Sequence, residues 1–185
     1  MLRRLILFMR KHIMKIDDRS QVEIAVENGF KMGTGCHIKD GCIIDPGHCF
    51  LITLGDNVTL APRVHLLAHD ASTKRTLGYT KIGLINIGSG CFIGANSTVL
   101  PGVTIGKGSI VGANSVVTKD IPEGSVYAGN PAKFICSTED YFDKMKKLME
   151  KAPTFDSSYT ILNITQDKKE EMIEALKQNR IGFIV

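Results

Sequence analysis

The sequence predicts an all-β fold, a parallel β-helix in which the chain winds into a three-sided prism. Two observations point there. From Ile87 the chain falls into consecutive six-residue units: IGSGCF, IGANST, VLPGVT, IGKGSI, VGANSV and VTKDIP. Glycine is also abundant, 18 of 185 residues, as a fold with many tight corners requires.

Each unit reads as one short strand plus one turn, so three units close a coil. The first position is Ile87, Ile93, Val99, Ile105, Val111 and Val117, always aliphatic, and points into the prism. The second is mostly Gly. The fifth is Cys91, Ser97, Val103, Ser109, Ser115 and Ile121, mostly small, and fits a crowded corner where a following Gly or Asn tolerates left-handed φ. Upstream, LGDNVT, LAPRVH and LLAHDA keep the pattern from Leu54. IKDGCI and IDPGHC carry it weakly from Ile38, with a slip of phase near Phe50. The expected coil spans residues 24–121 in five to six turns, a prism roughly 25 Å long at about 4.8 Å per strand. A β-sandwich, with strands of period two and uneven length, does not give hexads in phase.

One break interrupts the pattern. Leu66 and Ile87 are 21 residues apart, not a multiple of six, so part of AHDASTKRTLGYTKIG must leave the coil as a loop. Loops on rigid scaffolds are where sites are built. The expected organisation is an N-terminal helix over 1–20, the β-helix over 21–136 and a helical segment over 137–185. In the first, Leu2, Leu5, Ile6, Met9 and Ile13 share one face, with Arg3, Arg4, Arg10 and Lys11 mostly between them. That pattern suits a helix closing the first coil, or a basic amphipathic helix whose residues 1–15 rest on an anionic membrane. Its apolar run is too short for a signal peptide or a membrane span. Further helices are expected over Thr138–Lys151, stopped by Pro153, and over Gln166–Asn179, with IGFIV as a terminal strand.

Composition narrows the function. A net charge of +4 without a dense basic stripe or stacking aromatics argues against nucleic acid. Five cysteines, an odd number with no CxxC pair, argue against a disulfide framework or zinc ribbon. Free thiols in a reducing cytoplasm are expected.

The hexads, the protruding loop with a histidine, and TKDIPEGSVYAGNPAKFI occur in order. Together, over about residues 50–136, they resemble the hexapeptide-repeat acetyltransferases, in particular the maltose, galactoside and capsular-polysaccharide O-acetyltransferases. The resemblance implies a left-handed β-helix, a homotrimer with active sites between subunits, acetyl-CoA as co-substrate and a sugar hydroxyl as acceptor. It also implies a histidine base, here His69 in LLAHDAST. The chemistry needs such a group: a sugar hydroxyl is a poor nucleophile until its proton is taken, and imidazole suits that task. His65 is assigned to the acceptor side. Asp70 is placed there too, and is the nearest candidate to orient His69.

For coenzyme A the resemblance implies an aromatic at Phe92, small groove residues at Ala95 and Ala113, and Thr118 with Lys119 at the pantetheine and phosphate end. Gly129–Lys133 would turn beneath the adenine, with Lys133 near phosphate. One arginine common just beyond this segment is replaced by Cys136, which removes an expected phosphate contact. Three alternatives stay in view. The same fold N-acetylates nucleotide-activated amino sugars. β-Helix carbonic anhydrases bind zinc through three histidines, but His48, His65 and His69 do not match that spacing, so no metal is expected. A non-catalytic β-helix module would not need the loop histidine. The expected location is cytoplasmic, at most peripheral to a membrane.

Overall fold

The computed structural model describes residues 20–185; the helix expected over 1–20, and with it the membrane contact of residues 1–15, lie outside the described residues. The chain divides into two compact units, Met1–Cys136 and Ser137–Val185. Among the described residues no helix is long and apolar enough to cross a membrane.

The first unit is a β-helix whose three faces are sheets of short strands, parallel wherever successive coils pair. The first sheet stacks β1 (Lys31–Met32), β4 (Ile52–Leu54), β9 (Ile85–Ile87) and β12 (Thr104–Ile105). The second stacks β2 (His37–Ile38), β5 (Thr59–Leu60), β10 (Phe92–Ile93), β13 (Ile110–Val111), β15 (Ser125–Ala128) and β16 (Lys133–Ser137). The third stacks β3 (Ile43–Ile44), β6 (His65–Leu66), β11 (Thr98–Val99) and β14 (Val116–Val117). Most strands have two residues because a hexad leaves two for the strand and the rest for the corner. Of each pair one side chain points in and the other out. Leu60, Ile93 and Val111 are fully buried in the second sheet, as are Leu66 and Val99 in the third, while Phe92 is exposed. Burying each such aliphatic stabilises by roughly 1.5–3 kcal/mol.

The fifth hexad position does more than fit a corner. Its hydroxyl or thiol donates to a carbonyl of the next coil: Ser97 Oγ to Gly112 O at 2.9 Å, Ser109 Oγ to Pro122 O at 2.8 Å and Cys91 Sγ to Gly106 O at 3.0 Å. Cys36 and Cys42 do the same toward Gly55 O and Ala61 O at 3.1 and 3.2 Å. All five cysteines are free, and burial pushes the Cys42 and Cys91 thiols above their ordinary range. The second position is Gly where coils touch: a Cβ on Gly94 would lie 2.4 Å from Ala113 N. Asn96 and Asn114 take the left-handed corner, at φ 59° and 56°.

Successive coils normally repeat every 18 residues, as Phe92 pairs with Ile110 and Thr98 with Val116. Two steps are longer. Lys31 pairs with Thr53, a step of 22, and Thr53 pairs with Asn86, a step of 33. Four extra residues therefore enter between β3 and β4, and fifteen between β6 and β9. The first accounts for the phase slip near Phe50 and forms a 3₁₀ turn at Cys49–Leu51.

The coil starts later than expected. Residues Gln21–Glu27 form helix α1, so the prism has four complete coils from Lys31 and part of a fifth. Ile24 and Phe30 match the hexad spacing, but Ser20 and Glu23 make a capping box that starts a helix instead: Glu23 N–H donates to Ser20 Oγ, and Ser20 N–H to Glu23 Oε2. Ala25 and Phe30 join the core at that end.

The second unit holds helices α2 (Thr138–Met149) and α3 (Gln166–Asn179). Ser137 caps the first by accepting from Asp140 N–H at 3.0 Å. The terminal strand Phe183–Ile184 pairs in parallel with Thr154–Phe155.

Because the interior stack carries the prism, Ile93→Ala is expected to lower unfolding free energy by about 2–5 kcal/mol. Thr104→Ala, outward on the neighbouring face, is expected to stay within about 0.5 kcal/mol. Equal losses in urea unfolding would show that the aliphatic stack is not what holds the coils.

Candidate active site

Both insertions leave from the same corner, one coil apart. The longer one departs after Leu66, makes β7 (His69–Asp70), passes through a helical turn at Lys74–Leu77 and returns as β8 (Lys81–Ile82). β7 and β8 pair antiparallel, His69 opposite Ile82. The shorter one departs after Ile44, which pairs with Leu66. Asp45, its first residue, therefore lies alongside Leu67 and Ala68, and its N–H donates to Leu66 O at 3.0 Å.

Asp45 is completely buried. Its Oδ2 accepts from Ala68 N–H at 2.8 Å and faces His69 Nδ1 at 2.5 Å. Its Oδ1 accepts from the N–H groups of Gly47 and His48, both at 3.0 Å. Burial pushes this carboxyl up, but the bonds from His69, Gly47 and His48 outweigh it and hold the group below the usual carboxylate range. An ionised carboxylate only accepts, so His69 Nδ1 carries a proton, and in the neutral ring Nε2 keeps the lone pair. The His69 side chain is 35% exposed, which leaves it open to a reactant. A buried anion fixing one tautomer of a half-open imidazole is the arrangement a general base requires.

His48 completes the cluster. Its ring centroid is 4.9 Å from that of His69, and its Nδ1 lies 3.8 Å from Asp45 Oδ1. That nitrogen is buried without a hydrogen-bond partner.

The carboxylate that orients His69 is thus Asp45 and not Asp70. Asp70 accepts from Ser72 N–H at 2.9 Å and faces Lys81 Nζ at 3.8 Å, so it stabilises the excursion loop. His65 sits on β6 beside the buried Leu66, facing outward between Ile43 and Thr98. Thr118 and Lys119 follow β14, at the same corner as the His69 excursion and further along the prism. Phe92, Ala95 and Ala113 lie elsewhere, on the second sheet and the corner after it, with the third sheet between. Lys133 is on β16, at the edge of the second sheet. One chain therefore joins Thr118 and Lys119 to the histidine's corner and leaves Phe92, Ala95, Ala113 and Lys133 off it. Asp45 was not foreseen. It occupies the second position of IDPGHC, a position held by Lys39 in the hexad before and by Gly55 in the hexad after, just before the phase slip.

The depressed Asp45 carboxyl links stability to acid. A group whose folded value is lowered contributes fully above its unfolded value, about 4, and the contribution is lost as pH falls through the folded value. The advantage of the wild type over Asp45→Asn in urea unfolding is expected to shrink from pH 5 to below pH 3. An advantage that stays constant over that range would show that the carboxylate carries no acid-linked stability.

Residues 85–119 match the hexapeptide repeat of the succinyl-transferase family. The chain is 37% identical over 178 residues to protein CapG of Staphylococcus aureus, covering 93% of this chain and 99% of CapG. Among solved structures it is similar to the hexapeptide-repeat containing acetyltransferase VCA0836 of Vibrio cholerae, determined in complex with acetyl coenzyme A. That likeness has 26% identity and a TM-score of 0.51, covering 72% of this chain and 83% of the other. With its left-handed parallel β-helix and stacked hexads, the chain belongs to the hexapeptide-repeat acetyltransferases and is an acyltransferase.

Proposed function

We propose that the protein transfers the acetyl group of acetyl-CoA directly to a hydroxyl of a sugar or polysaccharide precursor, with His69 as general base and Asp45 as the residue that positions it. The observation that carries this reading is the buried Asp45 carboxylate bonded to His69 Nδ1. The acetyl-CoA complex of the similar Vibrio protein supports the donor. The resemblance to sugar O-acetyltransferases supports the acceptor.

In this reading the acceptor O–H gives its proton to His69 Nε2 as its oxygen attacks the thioester carbonyl. Imidazolium develops beside Asp45, whose negative charge stabilises it. The tetrahedral oxyanion collapses, the C–S bond breaks, and the coenzyme A thiolate takes the proton back from His69. His65, outward on the third sheet, is placed on the acceptor side, and Asp70 on the loop beside it. Thr118 and Lys119 would run along the corner that carries His69. Phe92, Ala95, Ala113 and Lys133 belong to a different corner, which a neighbouring chain of a homotrimer would bring to the same groove. A narrow groove needs small side chains, and phosphate needs Lys.

His69→Ala is expected to lower turnover roughly 10²–10⁴-fold with coenzyme A affinity almost unchanged, since a base acts in the transition state. His65→Ala is expected to cost far less. Near-normal turnover in His69→Ala, measured as thiol release with a panel of hydroxyl and amino acceptors, would remove His69 as the base. Binding of the donor is expected to raise the melting temperature. Light scattering is expected to give about three times the 20.3 kDa chain mass; a monomer would rule out a groove shared between chains.

A further inference from the structure

Asp45 presents its two oxygens to two imidazoles, but only one of them is bonded. His69 Nδ1 is hydrogen-bonded to Oδ2, while His48 Nδ1 stands 3.8 Å from Oδ1, buried and without a hydrogen-bond partner. A buried polar atom left in that state lowers stability, and its neighbour here is the fully buried Asp45 carboxylate. One ligand atom from each of Asp45, His48 and His69 lies within 4.8 Å of the others. Two imidazoles and a carboxylate form a donor set that suits a borderline divalent cation. Bonds of about 2.0–2.2 Å in a tetrahedron set neighbouring ligand atoms about 3.4 Å apart. The His48–Asp45 gap is already close to that. The His69–Asp45 contact would have to open by about 1 Å.

The surroundings favour binding too. The carboxylate is positioned by the N–H groups of Gly47, His48 and Ala68, so one ligand is fixed before any ion arrives. Both rings are about one-third exposed, 31% for His48 and 35% for His69, which leaves an open side for entry and for a water as fourth ligand.

We propose that Asp45, His48 and His69 form a Zn²⁺ site whose occupancy switches the acetyltransferase off. The metal would take the Nδ1 lone pair of His69. The proton that Nδ1 carried then moves to Nε2, or to solvent if the ring was doubly protonated. With hydrogen on Nε2 the ring has no lone pair for the acceptor's proton, so cation and base chemistry exclude each other. The switch rests on His69 being the base; the site itself does not.

The test titrates Zn²⁺ into the full chain by calorimetry in chelator-free, thiol-free buffer near neutral pH, and reads the first shell by zinc X-ray absorption. The wild type is expected to bind one ion per chain in the micromolar range with nitrogen and oxygen ligands. His48→Phe, which keeps a ring in place but cannot ligate, and His69→Gln are each expected to weaken binding at least about tenfold. Zn²⁺ should inhibit acetyl transfer by the wild type at the concentration at which it binds, and His48→Phe only at higher concentration, each relative to its own zinc-free rate. A sulfur-dominated shell, equal affinity in folded His48→Phe and His69→Gln, or no binding at micromolar Zn²⁺ overturns the site. If the site survives but His69→Ala still transfers acetyl, the assignment of the base fails instead. If His69→Ala is inactive and Zn²⁺ binds elsewhere, the cation site alone fails.

Discussion

The backbone ladder between coils is the constraint on which the rest depends. Each inner strand of the prism is bonded to the strand one turn before and the strand one turn after it, and every second residue must point inward. An extra residue placed within a strand would turn the following aliphatic residues outward. Extra residues can therefore enter only at corners; the step between paired strands is 18 in the regular coils and 16 at the last one, where Ile110 pairs with Val126. The two longer steps obey this rule. After four additional residues and again after fifteen, the inward stack resumes in phase, with Leu60 beneath Ile93 and Leu66 beneath Val99.

That rule also explains why the cluster of Asp45, His48 and His69 forms where it does. Two insertions at one corner of adjacent coils must lie against each other, because the strands before them are bonded. Asp45 and Ala68 meet for that reason alone. An isolated buried carboxylate would cost several kcal/mol. Here three backbone donors belonging to the corner and the first residues of the excursion surround it, and charge-assisted bonds of this kind contribute roughly 1.5–3 kcal/mol each. The imidazole then takes its orientation from the rigid coil rather than from its own loop. Such preorganisation spares the reaction the cost of orienting dipoles as charge develops.

These relations set what could be read from the amino acids. The aliphatic first positions and small fifth positions disclosed the coil, because interior stacking and corner crowding act on every hexad alike. The 21-residue gap after Leu66 disclosed the excursion and, through it, His69. Asp45 stayed hidden because phase reports where a coil is broken and not which residue of the previous coil comes alongside. Knowing that requires the size of the slip near Phe50 and its corner together. Asp70 was the near neighbour in sequence, but on a two-residue strand adjacent side chains point apart. The coil starts later than its hexad spacing implies because Ile24 and Phe30 keep that spacing, while the Ser20–Glu23 capping box starts a helix that ends at Glu27, before Phe30. The groove residues were assigned together by resemblance, yet the third sheet stands between Phe92, Ala95 and Ala113 on one side and Thr118 and Lys119 on the other.

The same carboxylate serves structure and chemistry, and the two uses pull differently. For stability alone the corner needs no carboxylate: the later coils place Leu67, Leu100 and Thr118 there, with no charge to bury. With Asp45 in place the protein must also accommodate His48, whose Nδ1 is buried beside the carboxylate without a hydrogen bond. Polar groups left in this condition are rare in folded proteins and concentrate where a site serves something besides folding. An anion fixed by backbone donors polarises the imidazole next to it, and by the same field favours a cation beside the two rings. The anchor for His69 and a ligand of the proposed zinc site are therefore one feature of this corner, and weakening either means disturbing the carboxylate that holds the two insertions together.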